Sequence, residues 1–303
     1  ERRLAIQGSS ARLPAHPICG MRRILRPVCL ASMPDHLTTR GEQEGPPWVR
    51  GLADTVLALG TPHFWDALSK VVGSVLENQG IVVFRYSGQQ EPTLMFSNFR
   101  NQVSRGDFRE YRTRAYLLDP MYLGFQERRS GGMHMLRELA ADRFFFSEYY
   151  RTYYVQTGLS DELCLFCWIS NDDLVMISVV RGKRMAPFAA SGVRLLRKIS
   201  TLLSSMVYQH VVAGVTPAPQ PTNRASAAPT LNIGDDNLLT QRELAIANLI
   251  LRGHSSPSMS LLLEISIETI KVHRRHIYQK LNISSQAELF SLAMNRISEN
   301  DLR

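Results

Sequence analysis

Residues 215–237 read VTPAPQPTNRASAAPTLNIGDDN. Repeated Pro, Ala, Ser and Asn leave little to bury, and proline favours extended backbone. A run of this kind is expected to be a flexible linker of about twenty residues. It divides the chain into a large segment, 48–214, and a small end, 238–303. The 303 residues suit two domains at about 100–200 residues each. A hydrophobic share of 44% against 20% charged excludes a wholly disordered chain.

Residues 1–47 are rich in Arg, Pro, Gly and Ser without a sustained period, and are expected to be disordered or vestigial. The chain opens on Glu1, and Met21 or Met33 is a candidate natural start. Arginines alternate with Ile24, Leu25, Val28 and Leu30, but no apolar run of about 7–15 residues forms, so a secretory leader is not expected. No apolar run approaches about 18 residues, which argues against a spanning helix. Four cysteines without regular spacing do not make a disulfide scaffold. The expected location is the cytoplasm.

The large segment alternates helical and strand periods. Pro62 to Gln79 places Phe64, Trp65, Leu68, Val71, Val72, Val75 and Leu76 on one helical stripe, closed by Gly80. IVVFRYS (81–87) and TLMFSN (93–98) read as strands around a Gly88–Pro92 turn. Asn101 to Leu118 reads as a helix stopping before Pro120. MHML (133–136) follows a Gly131–Gly132 break. Ser147 is placed to cap a helix running to Thr157, with Gly158 as its stop. LCLFCWIS (163–170) and LVMISVV (174–180) flank a turn at Asn171–Asp173. Pro187 suits the first turn of a long helix ending near Ala213. Strands joined by short turns give an antiparallel sheet, so the segment is α+β, with helices on the sheet faces.

The small end carries the chemistry. Thr240-Gln241-Arg242-Glu243 is a capping box, in which the Thr240 hydroxyl accepts from Glu243 N–H and the Glu243 carboxylate reaches back to Thr240 N–H. The helix that follows carries Leu244, Ile246, Ala247, Leu249, Ile250 and Leu251 and stops at Gly253. A second starts at Ser256-Pro257 and packs Met259, Leu262 and Leu263. A tight break at Glu264–Ser266 leads into a third, ending at Leu281, and a fourth spans about Ser285 to Arg296. Two short helices joined by a tight turn make a helix-turn-helix. On the third helix Ile270, Ile277 and Leu281 take the core. Lys271, Arg274, Arg275 and Lys280 project elsewhere, which suits either a DNA major groove or a solvated basic face. The formal net charge of +8 points to an anionic partner without choosing one.

The stretch LTQRELAIANLILRGHSSPSMSLLLEISIETIKVHRRHIYQKLNISSQAEL resembles the LuxR-type helix-turn-helix of bacterial transcription regulators. It matches the family pattern at Leu239, Thr240, Arg242, Glu243, Gly253, Ser255, Leu263, Ile265, Ser266, Thr269, Ile270, Lys271, His273, Ile277, Lys280, Leu281, Glu288 and Leu289. The resemblance implies a four-helix all-α domain that binds double-stranded DNA. It puts Lys271, Val272 and Arg275 on base edges, and Ser266, Thr269, His276 and Lys280 on phosphates. His273 is assigned to either. It further implies a homodimer on a palindromic operator, paired through Leu289, Leu292, Ala293 and Met294, with RNA polymerase as a further partner. Two departures stand out: Pro257 replaces a common lysine and Gln286 a common arginine. Both predict weaker non-specific affinity.

The order of the large segment resembles the GAF-like α-β-α sandwich of acyl-homoserine-lactone sensors, which implies a small-molecule effector. Asp119-Pro120 matches a sensor motif, and Tyr116 and Asp119 are the candidate ligand residues. The tryptophan and tyrosine slots of that motif fall on Gly106, Glu110 and His134. The lactone-clamping set is thus largely missing, and a lactone receptor stands as the alternative reading. The segment Phe144–Tyr154 resembles uncharacterised sensor domains of proteobacterial LuxR-type regulators. Its aromatics either line a pocket or pack as core. Cys164 and Cys167 sit three apart in a strand and so face opposite sides, which speaks against a redox or metal pair. No metal or cofactor is expected. No Gly-rich phosphate loop, H-E-x-x-H or G-x-S-x-G occurs, so an enzyme fused to a DNA-binding module is the lesser alternative. A third reading makes the segment a dimerisation module without a ligand.

Overall fold

The computed structural model describes residues 45–99, 108–214, 233 and 238–300. The expectations for residues 1–44, for the part of the 101–118 helix before 108, and for the linker other than Ile233 lie outside the described residues.

Five antiparallel strands form one sheet in the order β2-β1-β5-β4-β3. They are β1 (Gly80–Ser87), β2 (Thr93–Ser97), β3 (Gly132–Met135), β4 (Leu159–Ser170) and β5 (Asp173–Gly182). The β1–β2 and β4–β5 hairpins turn where the Gly88–Pro92 and Asn171–Asp173 signals stand. LCLFC of β4 is buried throughout, because both faces of the sheet are covered.

Side chains two apart share a face, and the two cores follow from that. Ile81, Val83, Leu163, Leu165, Cys167 and Ile177 belong to one apolar cluster. It is covered by α1 (Pro47–Leu57), α2 (Phe64–Val75) and α7 (Ala190–Val212) through Leu52, Phe64, Trp65, Leu68, Leu196, Leu203 and Val207. His210 of α7 is buried there, stacked on Phe64 with ring centroids 4.0 Å apart. Its Nδ1 accepts from Gly60 N–H at 3.2 Å, and burial pushes its pKa down to about 4. α1 carries no cap residue and holds Gly51 mid-helix, so its sequence signal is weak.

Val82, Phe84, Tyr86, Cys164, Phe166 and Met176 face the other way. Cys164 and Cys167 thus lie in different clusters, as the strand period requires. This second face is roofed by short pieces: α3 (Arg109–Thr113), a 3-10 turn at Ala115–Leu118, α4 (Pro120–Gln126), α5 (Leu136–Leu139) and α6 (Glu148–Tyr150), which a π-helical turn extends through Arg151–Val155. The helix expected up to Leu118 is therefore broken, with Arg114 at its kink. Ser147 caps α6 by accepting from Tyr150 N–H at 3.1 Å.

The same cluster continues into the C-terminal helices α8 (Gln241–Leu251), α9 (Ser256–Leu263), α10 (Ile267–Leu281) and α11 (Gln286–Asn300). Ile246, Ile250, Met259, Ile270, Ile277 and Leu289 fill their centre, and Ile233 is buried with them. No helix among the described residues is long and apolar enough to cross a membrane.

Candidate nucleic-acid interface and effector cavity

The helix-turn-helix is built by caps. Thr240 and Glu243 form the expected capping box: Glu243 N–H donates to Thr240 Oγ1 at 3.3 Å, and Thr240 N–H to Glu243 Oε2 at 2.8 Å. Ser255 caps α9 by accepting from Ser258 N–H at 3.2 Å. Ser266 caps α10 by accepting from Thr269 N–H at 3.0 Å. Between α9 and α10, Glu264 takes the left-handed conformation at φ 54°. The Arg242 guanidinium clamps this turn by donating to the Leu263 carbonyl at 2.6 Å. Leu262, expected in the core, is 58% exposed. Met259 and Leu263, four apart, occupy the inner side of the short α9 and leave Leu261 and Leu262 outside.

α10 is divided as its sequence requires. Ile270 and Ile277 are fully buried, and Leu281 is half-buried. Lys271, Val272, Arg275 and His276 are exposed on the outer side. Lys271 meets Glu268 at 3.7 Å, with both side chains largely in solvent. An open groove of about 700 Å³ runs beside the helix, lined by Lys271, Arg274, Arg275 and Gln279 among others. Arg274 lies over the Tyr278 ring and donates to its hydroxyl, so it braces the helix. His273 is half-buried, and its Nδ1 has no hydrogen-bond partner among the described residues. Thr269 and Ser266 exchange a hydroxyl contact of 2.9 Å at the helix start.

Lys280 is turned back. Its ammonium donates to Glu243 Oε2 at 2.7 Å. Burial alone would raise the Glu243 carboxyl, but hydrogen bonds from Lys280 and Thr240 outweigh it and bring it to about 2. Sequence spacing could not pair residues 37 apart.

The sheet face below α3 and α6 holds a cavity of about 700 Å³. Asp119 lines it, whereas Tyr116 does not and packs edge-on against Tyr122. Asp119 also caps α4, accepting from Met121 N–H at 2.8 Å. Of the aromatic run, Tyr149, Tyr153 and Tyr154 line the cavity, while Phe144 fills core beside them. Sequence reasoning missed Glu162 and Tyr111. Glu162 stands two residues before Cys164 and four before Phe166, so the strand period alone puts its carboxylate on the cavity face.

The two halves of the described chain touch through specific contacts. Arg143 N–H donates to the Gly253 carbonyl at 3.0 Å. Asp142 Oδ1 accepts from Ser255 N–H at 2.9 Å. Gly253, at φ +87°, would place an added Cβ 2.8 Å from the Phe144 Cα, so only glycine fits there. Arg114, a cavity residue, donates to the Met294 carbonyl at 3.2 Å. α11 packs on α6 and α8. Leu289, Ala293 and Met294, expected to offer an apolar dimer surface, are buried within the chain.

Residues 237–293 match the family described as bacterial regulatory proteins, luxR family. A protein of Aeromonas salmonicida, provisionally named an HTH-type transcriptional regulator in the exeN 3′ region, is 27% identical over 187 residues, or 59% of this chain and 94% of that protein. The oxygen regulatory protein NreC of Staphylococcus carnosus is 37% identical over 59 residues, 20% of this chain, and the chain spans 27% of its length. Among solved structures, the VqsR LBD domain of Pseudomonas aeruginosa is 21% identical at a TM-score of 0.49, with 56% of this chain and 99% of that one covered.

Proposed function

We propose that this chain, a transcriptional regulator whose residues 237–293 belong to the luxR family of bacterial regulatory proteins, reads duplex DNA with α10 under the control of a small ligand. The observation that carries the reading is the division of α10: Ile270 and Ile277 are buried, and Lys271, Val272 and Arg275 stand exposed together on the opposite side. A protruding helix with that face suits a major groove, where arginine or lysine meets guanine O6 and N7. Ser266, Thr269 and His276 are assigned to phosphates, with His273 beside them. The role is regulatory rather than catalytic, and its site of action is the cytoplasm, where bacterial DNA is.

Ligand control is supported by the cavity and its walls. Tyr149 and Tyr153 line it from α6 and the π-helical turn, α11 packs on α6, and Arg114 lines it while holding the Met294 carbonyl. A ligand that shifts these side chains therefore acts directly on the docking of the DNA-binding helices. The active species is proposed to be a homodimer on a palindromic operator, with RNA polymerase as a further partner. Pairing through Leu289, Leu292, Ala293 and Met294 competes with the contacts α11 makes within its own chain.

Selection of bound duplexes from genomic fragments by the full chain tests the reading. The expected result is a recurrent two-fold-symmetric sequence, bound with an affinity that falls steeply as salt rises. Retention of fragments without any shared sequence would overturn it.

A further inference from the structure

The cavity has an uneven charge. Its inner wall carries Asp119 and Glu162, which are 4% and 6% exposed. Each is hydrogen-bonded by neutral donors. Asp119 accepts from Tyr111 O–H at 2.6 Å and Met121 N–H at 2.8 Å. Glu162 accepts from Tyr154 O–H at 2.6 Å and Cys164 S–H at 3.0 Å. Among the described residues, no hydrogen bond or ion pair joins either carboxylate to a basic side chain. The two also repel: burial first, and then the charge of Glu162, push Asp119 up to about 7. Tyr149 gives Asp119 a further hydrogen bond. A buried carboxylate without a counter-charge is costly, and a carboxylate can accept about four hydrogen bonds, more than either makes here. The remaining lining is mixed: aromatic rings, Tyr149 and Tyr153 among them, stand beside polar side chains and Glu110, whose carboxylate accepts from Tyr153 O–H at 2.9 Å. Ring faces attract cations and add to the pull of the carboxylates.

We propose that this cavity takes a small organic cation, an amine or guanidinium on an apolar body, with its charged head between Asp119 and Glu162 and its body against Val82, Phe84 and Phe108. The inference rests on the reading of the cavity as the effector site. A neutral lactone leaves the carboxylates without a counter-charge, and a carboxylate ligand adds further negative charge. Arg109 and Arg114 line the same cavity, and the Arg114 guanidinium is given to the Met294 carbonyl.

The test is calorimetric titration of the full chain with three probes of one shape: tyramine, the alcohol 4-hydroxyphenylethanol and the acid 4-hydroxyphenylacetate. Agmatine and N-octanoyl homoserine lactone extend the set. The amine is expected to bind at least about tenfold more tightly than its alcohol, and the acid not at all. Glu162→Gln is expected to erase most of that preference. The comparison on the unaltered protein stands whether or not the variant folds. Alcohol, acid or lactone binding as tightly as the amines would overturn the cation assignment and leave the cavity as an effector site. Failure of every probe would overturn both.

Discussion

Lys280 has two readings, and one substitution separates them. By resemblance it contacts a phosphate. In the structure its ammonium lies 2.7 Å from Glu243, whose side chain is 5% exposed against 39% for Lys280. Lys280→Met leaves Glu243 with Thr240 as its hydrogen-bond donor. A charge-assisted hydrogen bond contributes about 1.5–3 kcal/mol. Solvent around the half-exposed lysine screens it, so the expected loss is about 1–2 kcal/mol. The sign with pH follows from the Glu243 carboxyl, which folding lowers from 4.5 to about 2. Its stabilisation is complete above pH 4.5 and lost as pH falls through about 2. The gap between wild type and variant is therefore widest above that range and closes near pH 2. Denaturant unfolding measures the gap. Anisotropy titration against salt measures the other reading, since losing one phosphate contact lowers the slope of log K on log salt by about 0.9. The geometry predicts a stability loss with the slope nearly unchanged. Unchanged stability with a slope reduced by that amount would refute the reasoning.

Arg275→Ala is expected to cost about 1–3 kcal/mol at one base pair of the operator and to relax specificity there, read by footprinting against single-base operator variants. Gly253→Ala forces a methyl onto the Phe144 backbone at φ +87°. The left-handed conformation alone costs about 1–2 kcal/mol, so hydrogen exchange at the Arg143 and Ser255 amides should quicken; unchanged protection counts against the contact. His210 is buried neutral with its pKa lowered from 6.5 to about 4. Its stabilisation is present above pH 6.5 and falls away towards pH 4, by about 3 kcal/mol in all. His210→Phe should flatten that part of the stability curve, even though the lost acceptor for Gly60 lowers stability at pH 7.

The local grammar of the chain was readable. Capping residues name their own partners three positions on, which is why Thr240–Glu243, Ser147 and Ser266 start helices where expected. Turn residues fixed both hairpins, and the period of two assigned Cys164 and Cys167 to opposite faces before any coordinates. The divided face of α10 is likewise a property of its own spacing. These are contacts within one turn or one strand, so sequence separation and spatial separation nearly coincide.

Contacts between distant segments were not readable. Lys280 on Glu243, Asp142 on Ser255 and Arg114 on Met294 are joined only by how whole elements pack. Composition raised the expectation of a linker between two parts, but nothing in either part states that α11 lies on α6. Leu289, Ala293 and Met294 are apolar under a dimer contact and under an intramolecular one alike, because burial has no address. The cavity is the same case. Asp119 and Glu162 stand 43 positions apart, and only the fold brings both buried acids to the lining of one cavity.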